Sequence, residues 1–92
     1  MMLETDKEHI YTLALAKWGK KTQAMMFMEE ASELIKELSK NLRGEKNVDR
    51  IAEEIADVEI MTEQLLSMFD CRSKVLKFKR EKLIRLRERV KD

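Results

Sequence analysis

TQAMMFMEEASELIKELSKNL, running from Thr22 to Leu42, decides the fold class of this chain. Its apolar residues fall at Ala24, Phe27, Met28, Ala31, Leu34, Ile35, Leu38 and Leu42. Steps of three and four mark one face of an α-helix, here sustained over about five turns. Gly44, in RGEKN, supplies the stop, because glycine enters the left-handed conformation that closes a helix C-terminus without steric cost. Beyond that break Asn47 can cap a further helix, with Asp49 in the first turn where the helix dipole favours negative charge. This helix runs to about Phe69 on a second stripe of Val48, Ile51, Ala52, Ile55, Val58, Thr62, Leu65 and Phe69. Upstream, about Asp6 to Trp18 reads as a helix opened by a Thr5–Glu8 capping box and broken by Gly19. Downstream, Asp70-Cys71-Arg72 makes a short connection, and Ser73 can cap a last helix over about Lys74 to Val90.

Composition agrees with this pattern. The 92 residues are 43% hydrophobic and 40% charged, with no proline and two glycines, which suits long amphipathic helices better than sheet or disorder. The expectation is a single all-α domain spanning residues 1–92, a four-helix antiparallel bundle joined by short connections. A chain this short buries a modest fraction of its surface, so oligomerisation is expected to complete the core. Cys71 is the only cysteine, which excludes an intramolecular disulfide or a cysteine metal cluster. The opening MMLETDKEHI has no apolar segment of signal-peptide length, and no run approaches the ~18 apolar residues of a membrane span. The cytoplasm is the expected compartment, with no membrane partner.

The net charge of +1 conceals a polarised chain. Residues 29–63 carry eleven acidic and five basic side chains, whereas residues 74–91 carry nine basic and two acidic. An acidic middle and a basic end suggest a cation site beside an anion site.

Two acidic clusters stand out, Glu29-Glu30-Ala31-Ser32-Glu33 and Glu53-Glu54-Ile55-Ala56-Asp57. Residues three apart on a helix are neighbours, which pairs Glu30 with Glu33 and Glu54 with Asp57. These acids flank the apolar stripes, and Glu54 and Asp57 share a helix edge with Met61 and Met68. Like charges brought together there are unfavourable, and Mg²⁺, or Mn²⁺ in its place, is the simple remedy for an all-oxygen donor set. The bland reading of the same pattern is a pair of solvated glutamate-rich helix edges. A di-iron bundle would need Glu-x-x-His motifs, and His9, the only histidine, follows no such pattern and should be exposed.

The order EEASE (Glu29 to Glu33), a gap of twenty residues, then EIAD (Glu54 to Asp57) resembles the metal-binding signature of the MazG-like all-α nucleoside triphosphate pyrophosphatases. The flanking KWGKKTQ (Lys17 to Gln23) and DVEIMTEQL (Asp57 to Leu65) are similar to that family too, and the likeness covers about residues 10–90. It implies a bundle of the MazG-like type, a homodimer or homotetramer, hydrolysing a nucleoside triphosphate to monophosphate and pyrophosphate with Mg²⁺. The implied ligands are Glu30, Glu33, Glu54 and Asp57, and Glu29 or Glu33 would take the proton of the attacking water. On the last helix Lys79, Lys82 and Arg85 recur every three residues and could reach phosphates, although a solvated basic face is an equal reading. The family's usual asparagine in that helix has no obvious match. Trp18 offers a stacking plane and Gln23 a donor and an acceptor for a base edge, while a core role for Trp18 weighs as much.

Two other classes compete with the enzyme reading. One is a non-catalytic helical interaction or regulatory protein of antitoxin-like kind, supported by the apolar stripes. The other is nucleic-acid binding through the basic last helix; Phe78 is its only aromatic residue and the acidic helices beside it would repel phosphates, so that reading is disfavoured.

Overall fold

The computed structural model describes residues 4–91, with side chains from Asp6 onward, so the capping box expected of Thr5 lies outside the described residues. Three helices follow one another: α1 over Glu4–Leu42, α2 over Val48–Met68 and α3 over Arg72–Val90. The all-helical class expected from the periodicity holds. Three continuous helices stand where four were expected, because α1 runs through Gly19 as a kink, with φ 81° and ψ 167°. Those angles lie in a region open essentially to glycine alone, so this residue redirects the chain without ending the helix. The two arms of α1, before and after Gly19, do the work of two rods.

Short connections set the topology. Gly44 (φ 101°) ends α1 as expected, with the Glu45 amide donating to the Lys40 carbonyl at 3.1 Å and the Gly44 amide to the Asn41 carbonyl at 2.9 Å. Asp70 (φ 48°) plays the same part after α2, where the Cys71 amide reaches back to the Leu66 carbonyl at 3.2 Å. A short polar side chain tolerates that left-handed backbone. Ser73 is not a cap: α3 begins at Arg72, preceded by Cys71, and has no capping side-chain hydrogen bond.

α1 and α2 form the body of the protein, and α3 touches α2 sparsely and buries none of its residues. The first arm of α1 is held to α2 by polar contacts. The Tyr11 hydroxyl donates to Glu63 Oε1 at 2.8 Å, Lys7 Nζ lies 3.0 Å from Glu63 Oε2, and the Ser67 hydroxyl donates to Glu8 Oε2 at 3.2 Å. Arg72 at the start of α3 adds an ion pair to Glu8 at 3.4 Å.

The apolar stripes face inward only in part. On α1, Ala24, Phe27, Ala31 and Leu34 are half-buried while Met28, Ile35, Leu38 and Leu42 are exposed; on α2, Ile51, Val58 and Leu65 are half-buried while Val48 and Ile55 are exposed, as is Phe69 just beyond it. The buried edge of α2 instead carries Met61 and Met68, and that of α1 carries Gln23 and Glu37, with Glu30 half-buried between them. The contact face is therefore rotated toward the acidic edge of both helices. A radius of gyration of 16.1 Å, against about 12 Å for a compact chain of this length, records the same openness.

Candidate metal centre

Three polar rungs cross the α1–α2 interface, each seven residues from the next on both helices. Seven residues are two turns, about 10.5 Å of rise, and return a side chain to nearly the same face. Because the helices run antiparallel, the rungs pair Glu37 with Arg50 and Glu30 with Asp57, and set Gln23 and Gln64 around one cavity.

The first rung satisfies itself. Glu37 is buried, and its carboxylate accepts from Asn47 Nδ2 at 2.8 Å and from Arg50 Nε at 3.0 Å, with Lys40 Nζ at 3.3 Å. The Asn47 amide, followed by the Arg50 guanidinium, holds the Glu37 carboxyl well below its ordinary 4.5, at about 2. Asn47 was expected to cap α2, but it makes no side-chain cap hydrogen bond. Its buried amide donates instead to the Glu37 carbonyl at 2.8 Å as well as to the carboxylate, and its Oδ1 accepts from Asn41 at 3.2 Å. Asn41 thereby finds a role that no local pattern assigned to it, and Arg43 donates to the Ser39 hydroxyl at 2.7 Å.

The middle rung does not satisfy itself. Glu30, Glu54 and Asp57 each offer a carboxylate oxygen, and these oxygens lie within 4.8 Å of one another. Burial, then the charge of Asp57, pushes the Glu30 carboxyl up; burial, then Asp57 and Glu33, does the same to Glu54. Glu54 Oε2 is buried with no hydrogen-bond partner. Unpaired buried carboxylate oxygens are costly, and a hard divalent cation is the ligand that such a donor set fits. Three of the four expected ligands thus stand together. Glu33 is exposed on the flank, close enough for its charge to act on Glu54, and Glu29 is exposed beside Glu30.

The expected substrate contacts are dispersed. Gln23 forms the third rung and is 2% exposed. Trp18 is 46% exposed beside the kink, with Lys17 Nζ 5.2 Å from its ring centroid, so it is not a core residue of this fold. Lys79 lines an open cleft of about 800 Å³ with Lys7, Tyr11, Ile60 and Glu63. Lys82 and Arg85 line a groove formed by α3 residues alone. His9 is exposed, as expected. Comparison of the chain with models of known protein families, with curated proteins and with solved structures found no match. Among the described residues no helix is long and apolar enough to cross a membrane.

The residues that the sequence pattern missed are Glu37, Arg50 and Gln64. Their signal was present as a seven-residue repeat of polar positions, Gln23-Glu30-Glu37 on α1 and Arg50-Asp57-Gln64 on α2. A polar repeat at helical spacing reads as a solvated face until the partner helix is placed against it.

Proposed function

We propose that this protein is a Mg²⁺-dependent nucleoside triphosphate pyrophosphohydrolase of MazG-like kind. The observation that carries the reading is the convergence of Glu30, Glu54 and Asp57 from two helices, with Glu54 Oε2 buried and unpartnered. Resemblance of EEASE and EIAD to the family signature supplies the reaction class.

In this reading Glu30, Glu54 and Asp57 hold the cation, and Glu33 joins them by a rotation of its exposed side chain. Bound there, Mg²⁺ supplies charge to the phosphate oxygens and acidifies water, the two services a Lewis acid brings to phosphoryl chemistry. Glu29 or Glu33, both exposed, accepts the proton of the water that attacks the α-phosphorus. The bond from that phosphorus to its bridging oxygen breaks, pyrophosphate leaves, and the monophosphate keeps the new oxygen. Lys79, Lys82 and Arg85 neutralise the leaving phosphates. Lys79 shares its cleft with Ala56, next to Asp57, and in a homo-oligomer Lys82 and Arg85 can be supplied across the interface.

Assembly is part of the proposal. The chain exposes 7687 Å², whereas a folded monomer of 11.0 kDa is expected to expose about 5600 Å². The excess, about 2000 Å² per protomer, matches what obligate dimers bury. Leu76, Leu83, Leu86 and Val90 form an exposed heptad-like seam on α3 that a second copy would cover. The same seam favours the competing reading, a non-catalytic helical interaction protein.

Product analysis after incubation with Mg²⁺ and a panel of NTPs and dNTPs separates the two. Monophosphate plus pyrophosphate, abolished by Asp57→Ala, is the expected result. An absence of turnover with both Mg²⁺ and Mn²⁺ would assign the fold to interaction instead.

A further inference from the structure

The third rung opens into a cavity of about 280 Å³ in the crook of the Gly19 kink. Tyr11 and Leu15 reach it from the first arm of α1, Gln23 from just past the kink, and Gln64, Ser67 and Met68 from α2. Its hydroxyl groups are engaged elsewhere, that of Tyr11 with Glu63, that of Thr12 with the Glu8 carbonyl and that of Ser67 with the Glu8 carboxylate. Two amide atoms are fully buried with nothing to bond. Gln23 Nε2, a donor on a side chain 2% exposed, and Gln64 Oε1, an acceptor, are both buried without a partner.

Orphaned amide groups in a buried site are costly, and native proteins satisfy them. A single water, with a share of about 30 Å³, would leave most of this space unfilled. The Glu37–Arg50 rung shows that the same interface can pair its polar residues when both partners belong to the chain. At the Gln23–Gln64 rung the donor and the acceptor both await something else.

We propose that this cavity is a nucleobase subsite in which Gln23 and Gln64 together read one edge of the base. A base offers what the two amides lack: an acceptor next to a donor, as a carbonyl beside a ring N–H or a ring nitrogen beside an exocyclic amine. Leu15 and Met68 provide the apolar lining that a planar ring prefers to water. The cavity is smaller than the ~300–1000 Å³ of a pocket for a whole drug-sized ligand, so it admits the base and leaves sugar and phosphates outside. The acidic rung lies two turns away along both helices, about 10.5 Å. A ribose spans such a gap, placing the base at Gln23 and the α-phosphate at Glu30, Glu54 and Asp57. This subsite rests on the nucleotide reading above and adds to it the residues that choose the base.

Gln23 and Gln64 are the only glutamines in the chain, and Asn41 and Asn47 the only asparagines, so four side-chain amide pairs report on the whole molecule by ¹⁵N NMR. Wild-type protein is titrated, without metal, with each of the four common nucleosides, which carry a base and no phosphate. At least one is expected to move both glutamine pairs and leave Asn41 and Asn47 in place. Gln23→Leu, nearly isosteric, should weaken that nucleoside at least tenfold and flatten base preference in kcat/KM to a similar extent. Glutamine signals unmoved by every nucleoside would overturn the subsite, whatever the outcome of the hydrolysis assay. Movement of those signals in a protein that hydrolyses nothing would retain the subsite and overturn the reaction alone.

Discussion

Replacing Asn47 by alanine tests whether the Glu37 rung anchors the α1–α2 register. Asn47 is 3% exposed and donates two hydrogen bonds at 2.8 Å, one to the Glu37 carboxylate and one to the Glu37 carbonyl, besides accepting one from Asn41 at 3.2 Å. A hydrogen bond to a charged acceptor contributes about 1.5–3 kcal/mol and a neutral one about 1 kcal/mol, so losing the Asn47 amide should cost about 3 kcal/mol. In a domain of this size that lowers Tm by about 12–24 °C. Thermal unfolding at fixed protein concentration measures it, because assembly makes Tm concentration-dependent. A second readout carries the sign. Glu37 titrates at about 2 in the folded protein rather than 4.5, so its contribution is fully present above 4.5 and is lost as pH falls from there toward 2. Asn47 is the largest cause of that lowering, so the gap between wild type and Asn47→Ala should narrow across the same window. The other shifted carboxyls, Glu30, Glu54 and Glu63, are shared by both proteins and cancel in the difference. A Tm loss under about 4 °C, or a gap that ignores pH, would refute the anchoring role.

Other perturbations reach the remaining parts of the argument. In the absence of metal, burial and Asp57 raise the Glu54 carboxyl, so Glu54→Gln should leave the apoprotein at least as stable as wild type while abolishing its gain from Mg²⁺. Wild type should gain about 2.7 kcal/mol when Mg²⁺ reaches a hundredfold excess over Kd; equal Mg²⁺ responses in the two proteins would remove the metal centre. Gly19→Ala meets no steric obstacle within 4 Å, so its cost is backbone strain alone, about 1–3 kcal/mol. A rise in Tm, as alanine gives in an ordinary helix, would mean that the kink is not held in solution. Sedimentation of wild type should give at least twice 11.0 kDa, and Leu83→Glu with Leu86→Glu should return the chain to 11.0 kDa; a wild-type monomer at tens of micromolar would deny the seam a second copy.

Gly19, read as a stop, proved only a kink, but the sequence by itself determined the helical class and the connections at Gly44 and at Asp70-Cys71. Each follows from short-range physics: apolar steps of three and four, and Gly44 in a left-handed turn that residues with a β-carbon resist. Local spacing also picked out the acids of the middle rung, Glu30, Glu54 and Asp57, but together with Glu33, which lies exposed on the flank. Tertiary structure decided which edge of each helix faces the other. The stripes of α1 and α2 proposed a contact through residues such as Ile35 and Ile55, both of which are exposed. The helices meet along Gln23, Glu30 and Glu37 on one side and Arg50, Asp57 and Gln64 on the other, with only the inner half of each stripe, such as Phe27, Leu34, Ile51 and Val58, half-buried beside them. An amphipathic pattern says that a face is apolar without saying what covers it, and here the outer part of each stripe is left open while polar groups pair between the rods. Asn47 shows the same limit: its position before α2 suits a cap, yet its amide goes to Glu37, ten residues back on another helix. Register between two rods is a property of the pair, so the meeting of Gln23 with Gln64 took form only when α1 bent at Gly19 and α2 folded back along it.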